Sequence, residues 1–276
     1  MKNKMIKSLV AASLAVGLLQ SNIANAHRVW IKPSTTVVSG ESEWVTFDAA
    51  VANVIFFADH FPLGLNYLKA LSPSGKEVEL QNAAKLKYRS VFDLELTEQG
   101  TYQVFGASQS LTASWKDDEG KRQRWPGRGE VGTIEGFNKS VPKNATDLKV
   151  VESSRRIEVF VTLGEPSTIK STGKGIELNA KTHPTDLYVG EAAQFQFVLD
   201  GKPISGGDIV IVKDGEKYRN DSKALKIKTD DKGNFEVNFK EAGLYWLELE
   251  YSDDKAAAPA QERSASYSAV FEVQAI

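Results

Sequence analysis

The sequence predicts an all-β protein, two tandem antiparallel β-sandwich domains behind a cleaved signal peptide, and three observations carry that expectation. Segments rich in Val, Ile, Phe, Tyr and Trp recur through most of the chain, among them RRIEVFVTL ending at Leu163, AQFQFVL ending at Leu199 and LYWLELEY ending at Tyr251. Within them apolar and polar residues alternate, the period of a strand with one buried face. Between them stand Gly, Pro, Asn and Asp turns at intervals of roughly 8 to 12 residues, the rhythm of a sandwich.

Taken in order, residues 1–26 carry Lys2, Lys4 and Lys7, an apolar run from Leu9 to Leu19, and small residues at Ala24 and Ala26. That is the pattern of a secretory signal peptide cut after Ala26. Residues 27–165 form the expected first domain. It opens on a strand at Val29, Trp30 and Ile31, continues through Val45 to Phe57, and holds the strand-like runs SVFDLEL and TYQVFG. A charged, Gly-rich stretch near 116–148 reads as a surface insertion, in which Trp125, between Arg124 and Arg128, either meets an anionic or sugar ligand or folds onto its own loop. The polar stretch 166–175 reads as a linker. Residues 176–276 form the second domain, where Asp200-Gly201 and Asp230-Asp231-Lys232-Gly233 supply hairpin turns. The order Pro, Gly-Glu, strand, Glu-x-Gly, aromatic strand occurs in both halves, from Pro33 and from Pro184. This echo suggests two similar, Ig-like units.

Composition removes several classes of function. The chain has no cysteine, so disulfides, thiolate metal sites and cysteine nucleophiles are excluded. Loss of Lys2, Lys4 and Lys7 moves the formal charge from −2 to −5, which gives no electrostatic case for nucleic acid. No later run approaches the roughly 20 apolar residues of a membrane helix, so the mature form is expected to be exported, periplasmic and not membrane-spanning. G-x-S-x-G, H-E-x-x-H, phosphate-loop and EF-hand patterns do not occur.

The candidate site rests on the histidines, of which there are three, His27, His60 and His183. Cleavage after Ala26 would leave His27 at the mature terminus, where its α-amine and Nδ1 close a chelate ring on one metal ion. An α-amine with a pKa of about 7.7 to 8 yields its proton readily to a metal. His60 follows an apolar strand and precedes a Pro-Gly turn, a place where binding side chains are presented. Asp59 beside it is a possible carboxylate ligand or a partner that orients the imidazole. His183, at the start of the second unit, is placed either to close the site across the domain interface or to hydrogen-bond within a turn. Nitrogen donors in this number suit copper or nickel.

The opening AHRVWIKPS from Ala26 resembles that of a bacterial periplasmic family described as the periplasmic component of a cobalt/nickel transport system. The later LNAKTHPTDLYVGEAAQFQFVLDGKPISGG from Leu178 resembles the second domain of the same family. The resemblance spans the mature chain and implies two β-sandwiches handling a transition metal. It carries over onto His27 and His183 and leaves His60 outside its motifs. A shorter likeness, HRVWIKPS, is to copper-dependent polysaccharide monooxygenases with an N-terminal histidine brace. Arg28 stands where they have Gly, and the disulfides common among them are missing.

The leading expectation is therefore a non-enzymatic periplasmic protein that binds nickel, cobalt or copper, free or carried by a metallophore, through His27, His60, His183 and Asp59. Its expected partner is a membrane transporter. The alternatives are an adhesin-like Ig module with no metal and a copper-dependent oxygenase.

Overall fold

A computed structural model describes residues 28–127 and 129–276. The first half contains β1 (Arg28–Pro33), β2 (Val37–Val38), β3 (Glu43–Ala52), β4 (Phe61–Pro62), β5 (Lys69–Leu71), β6 (Glu77–Val78), β7 (Gln81–Lys85), β8 (Ser90–Leu96), β9 (Gly100–Lys116), β10 (Arg122–Trp125), the helix α1 (Ile134–Ser140) and β11 (Thr146–Leu163). The second contains β12 (Ile176–Ala180), β13 (Ala192–Leu199), β14 (Lys202–Pro203), β15 (Asp208–Lys213), β16 (Leu225–Lys228), β17 (Asn234–Asn238), β18 (Gly243–Asp253) and β19 (Glu262–Val273). The all-β sandwich expectation holds throughout the described residues.

Three sheets build the described residues. A five-stranded sheet runs β1-β3-β8-β7 with β4 added to β3, and a four-stranded sheet runs β12-β13-β14 with β17 on β13. Between them lies a ten-stranded sheet ordered β16-β15-β18-β19-β11-β9-β5-β6, with β10 and β2 on its flanks. The five-stranded sheet closes one core against it, around Trp30, Phe47, Phe92 and Tyr102, and the four-stranded sheet closes a second, around Phe195, Phe197, Phe235 and Phe271.

The two sandwiches are fused rather than strung together. β11 pairs in parallel with β19 from Val151↔Glu262 to Val159↔Val270, so one sheet crosses both halves. Strand alternation then serves both cores from a single strand. On β18, Tyr245, Leu247 and Leu249 enter the second core while Trp246, on the opposite face, enters the first. The segment read as a linker is likewise tied down. Ser167 Oγ accepts the Thr101 N–H at 2.9 Å, and the Ser167 N–H donates to Thr101 Oγ1 at 3.0 Å.

The excursion near 116–148 lies at the tip of the long β9–β11 hairpin, and its Val141, Trp125 and Phe137 pack into a small core with Leu111 and Ala113 of β9, Val150 of β11 and Ala260. Trp125 packs edge-on to Phe137 of α1 at a 6.0 Å centroid distance, so it does fold onto its own loop. Thr133 caps α1, its hydroxyl accepting the Gly136 N–H at 3.1 Å. Gly132 lets the loop touch β9, because a Cβ there would lie 1.8 Å from the Leu111 carbonyl oxygen.

Candidate functional site

β1 begins at Arg28, opposite Ala52 of β3. Three contacts hold that start against the second half of the chain, and one of their partners also holds Ile55. The Arg28 guanidinium pairs with the Glu216 carboxylate, which also accepts the Ile55 N–H at 3.1 Å. The guanidinium carbon stands 5.3 Å from the centre of the Trp246 ring, and Trp246 Nε1 donates to the Val29 carbonyl at 2.9 Å.

Two of the candidate ligands lie at this corner. Asn53 follows Ala52, and Asp59 accepts its backbone N–H at 3.1 Å and its side-chain amide at 3.4 Å. His60 is exposed, its ring 4.6 Å from that of Phe61, whose backbone pairs with Val51. Phe57 and Phe61 are exposed beside it, and the Lys217 ammonium sits 3.4 Å from the Phe57 ring centre. His27 lies outside the described residues. Among the described residues no three His, Cys, Asp or Glu side chains group to hold a metal ion.

His183 is placed elsewhere and is already engaged. Its Nδ1 accepts the Thr185 N–H at 3.2 Å, which leaves the proton on Nε2 to donate to the Ser167 carbonyl at 3.1 Å. Nε2 also lies 3.1 Å from Thr101 Oγ1, and a hydroxyl chain continues through Thr162 to Thr185 at 3.0 and 2.7 Å. Burial pushes its pKa down, against the Ser167 carbonyl and Asp186, so the ring is neutral near pH 7. These partners sit where β11 meets β2, so His183 joins neither Asp59 nor His60. Of its two expected roles, the hydrogen bond within the interdomain turn is the one the structure displays.

The sequence reading passed over a polar cluster on β11. Arg156 and Glu158 share a face of the strand and are 7% and 1% exposed. Arg156 Nε donates to Glu158 at 2.7 Å, and the same carboxylate accepts from Gln103 Nε2 at 2.7 Å and from the Tyr267 hydroxyl at 2.5 Å. Tyr267 is itself pushed well up, first by burial and then by Glu158, so it keeps its proton. The signal available was a pair of opposite charges two residues apart within a strand. Above them opens a cleft of about 400 Å³, walled by 166–171 and by β12. Burial raises the pKa of Glu177 in that wall, but bonds from Ser171, Thr172 and Gly173 outweigh it and hold the carboxyl below its usual range.

A second groove, of about 450 Å³, is lined by Tyr67, Arg155, Glu248 and Glu250 and shares Arg156 with the first. Burial, reinforced by Glu250 and opposed by Arg28, pushes Glu248 up to about 7. A carboxyl whose folded pKa is raised contributes stability below its unfolded pKa and loses it as pH rises through the folded value. Glu248→Gln is therefore expected to gain on the parent by about 1–2 kcal/mol near pH 8 and by little near pH 5, after discounting for its partial exposure. Urea midpoints at the two pH values check this, and an equal effect at both would refute the shift.

The described chain has 13% identity to the structure of the D0-D1 domain of intimin, with a TM-score of 0.21, covering 87% of this chain and 96% of that one. To Salmonella alpha-2-macroglobulin reacted with methylamine the values are 12% and 0.22, covering 89% of this chain and 15% of that one. Likenesses this distant carry no functional information. No curated protein matches the chain in sequence. Residues 24–253 match a domain of unknown function, and on the extent of that match the chain belongs to the DUF4198 family.

Proposed function

We propose that the mature protein is an exported, non-catalytic binding module that holds a divalent transition metal, nickel, cobalt or copper, at the corner where β1 begins. The observation that supports this reading is the presence of Asp59 and His60 at the end of β3 that flanks Arg28, the residue following His27. In the reading, the His27 amine and imidazole supply two nitrogens and His60 a third, while Asp59 adds an oxygen or orients a ligand. His183 takes no part, because both of its nitrogens serve hydrogen bonds. A nitrogen-rich donor set of this kind favours copper or nickel by the usual order of affinities, with selection left to geometry and supply. Release to a membrane transporter or a metallophore would follow from a site at an accessible edge.

The test compares the chain beginning at His27 with the same chain carrying one extra alanine before it. Copper(II) or nickel(II) affinity is expected to fall at least tenfold on extension, about 1.4 kcal/mol or more, because the amine becomes an amide. His60→Ala in the unextended chain should do the same. Equal affinities in all three proteins would sink the metal reading. They would favour the second, a protein-binding module, which the exposed Phe57, Phe61 and Tyr218 at this corner support.

A further inference from the structure

We propose that the cleft above β11 is a binding site for a small organic acid, its carboxylate held by the guanidinium of Arg156 and its aliphatic chain lying along the 166–171 wall. Arg156 is buried to all but 7% of its surface, yet its hydrogen bonding among the described residues goes through Nε alone. The two Nη groups, four N–H donors, have no protein acceptor there. Neither Nη is among the buried atoms left without a partner, so both reach the cleft, where water or a bound acceptor receives their N–H groups.

The guanidinium is also held in place for a planar partner. Glu158 fixes its Nε edge, and the Phe105 ring covers one face, 4.6 Å from the guanidinium carbon. What remains is the pair of Nη groups that a carboxylate meets with two parallel bonds. Glu158 cannot turn away to compete, since Gln103 and Tyr267 occupy it as well. Glu177 is similarly saturated by the loop it caps.

The rest of the lining selects among anions. Arg156, Lys170 and Lys181 set against Glu158 and Glu177 leave one positive charge, which suits a single carboxylate. Pro166, Ile169 and Ala180 make part of the wall apolar, which suits a short hydrocarbon chain and gives nothing to inorganic phosphate. The space of about 400 Å³ lies in the usual range for small-molecule sites. Lys170, exposed at the rim, steers the anion without forming part of the buried pair.

The experiment titrates the mature chain with sodium acetate, butyrate, hexanoate and phosphate, followed by calorimetry and by the nitrogen-15 signals of the arginine side chains. The acids are expected to bind one per chain, more tightly as the hydrocarbon lengthens, and to shift one buried arginine signal, while phosphate does neither. Arg156→Lys keeps the charge opposite Glu158 but loses the fork, and should weaken hexanoate about tenfold or more. Lys170→Ala, at an exposed position that leaves folding intact, should weaken it two- to threefold and flatten its salt dependence. No binding of any acid, binding of phosphate as tight as that of hexanoate, or indifference of hexanoate to both substitutions would overturn the proposal. None of these readings involves His27, so the outcome is independent of the metal reading.

Discussion

Trp246→Ala is expected to destabilise the whole chain by about 3–5 kcal/mol, the scale of emptying a large aromatic site in a core. The indole is 1% exposed and sits in the first core although β18 hydrogen-bonds within the second half. Its Nε1 bonds the Val29 carbonyl at 2.9 Å and its ring carries the Arg28 guanidinium. One side chain thus fastens the start of β1 to a strand more than two hundred positions later. Because β11 and β19 also continue one sheet across the junction, the parent chain should unfold in a single transition seen alike by fluorescence and circular dichroism. Trp246→Phe, which keeps most of the buried area but loses the hydrogen bond, should cost about 1–2 kcal/mol. Urea denaturation of the three proteins measures both. A loss below about 1 kcal/mol for the alanine variant, or two separate transitions in the parent, would mean the halves are merely adjacent.

The distinction between fused and tandem sandwiches marks where sequence reading stops. Alternation in AQFQFVL and LYWLELEY identifies strands and which residues share a face, and the structure keeps both assignments. It does not name neighbours, because period-two patterning is the same whichever strand lies alongside. The parallel pairing of β11 with β19 therefore left no local trace. The 166–175 stretch shows a second limit. A run of Ser, Thr, Gly and Lys describes a free linker and equally a loop whose N–H and hydroxyl groups cap Glu177. His183 shows a third, since its role was set by Thr101, 82 positions away, and a histidine before a proline looks the same in either use. The corner at Arg28 was more legible. The apolar run of Val29, Trp30 and Ile31 that opens β1, and a histidine just past a strand, are both local features.

Removing Glu158 is the second large effect, and it isolates what Arg156 is for. Glu158→Ala is expected to cost about 3–5 kcal/mol, because it strands a buried guanidinium and also leaves the Gln103 amide and the Tyr267 hydroxyl without their acceptor. Arg156→Met should cost a similar amount by leaving Glu158 charged and less compensated. The double variant Arg156→Met with Glu158→Met is expected to recover part of the loss, since apolar side chains of similar volume replace the buried charge pair while the Gln103 amide and the Tyr267 hydroxyl stay without their acceptor. Urea midpoints for the two single variants and the double give the coupling directly. Losses that simply add would show that the two charges do not depend on one another and that the cluster is more solvated than its burial indicates. Recovery of stability without recovery of hexanoate binding would separate the two roles: the pair would be dispensable for the fold, and Arg156 would be kept charged in the seam for the ligand it receives.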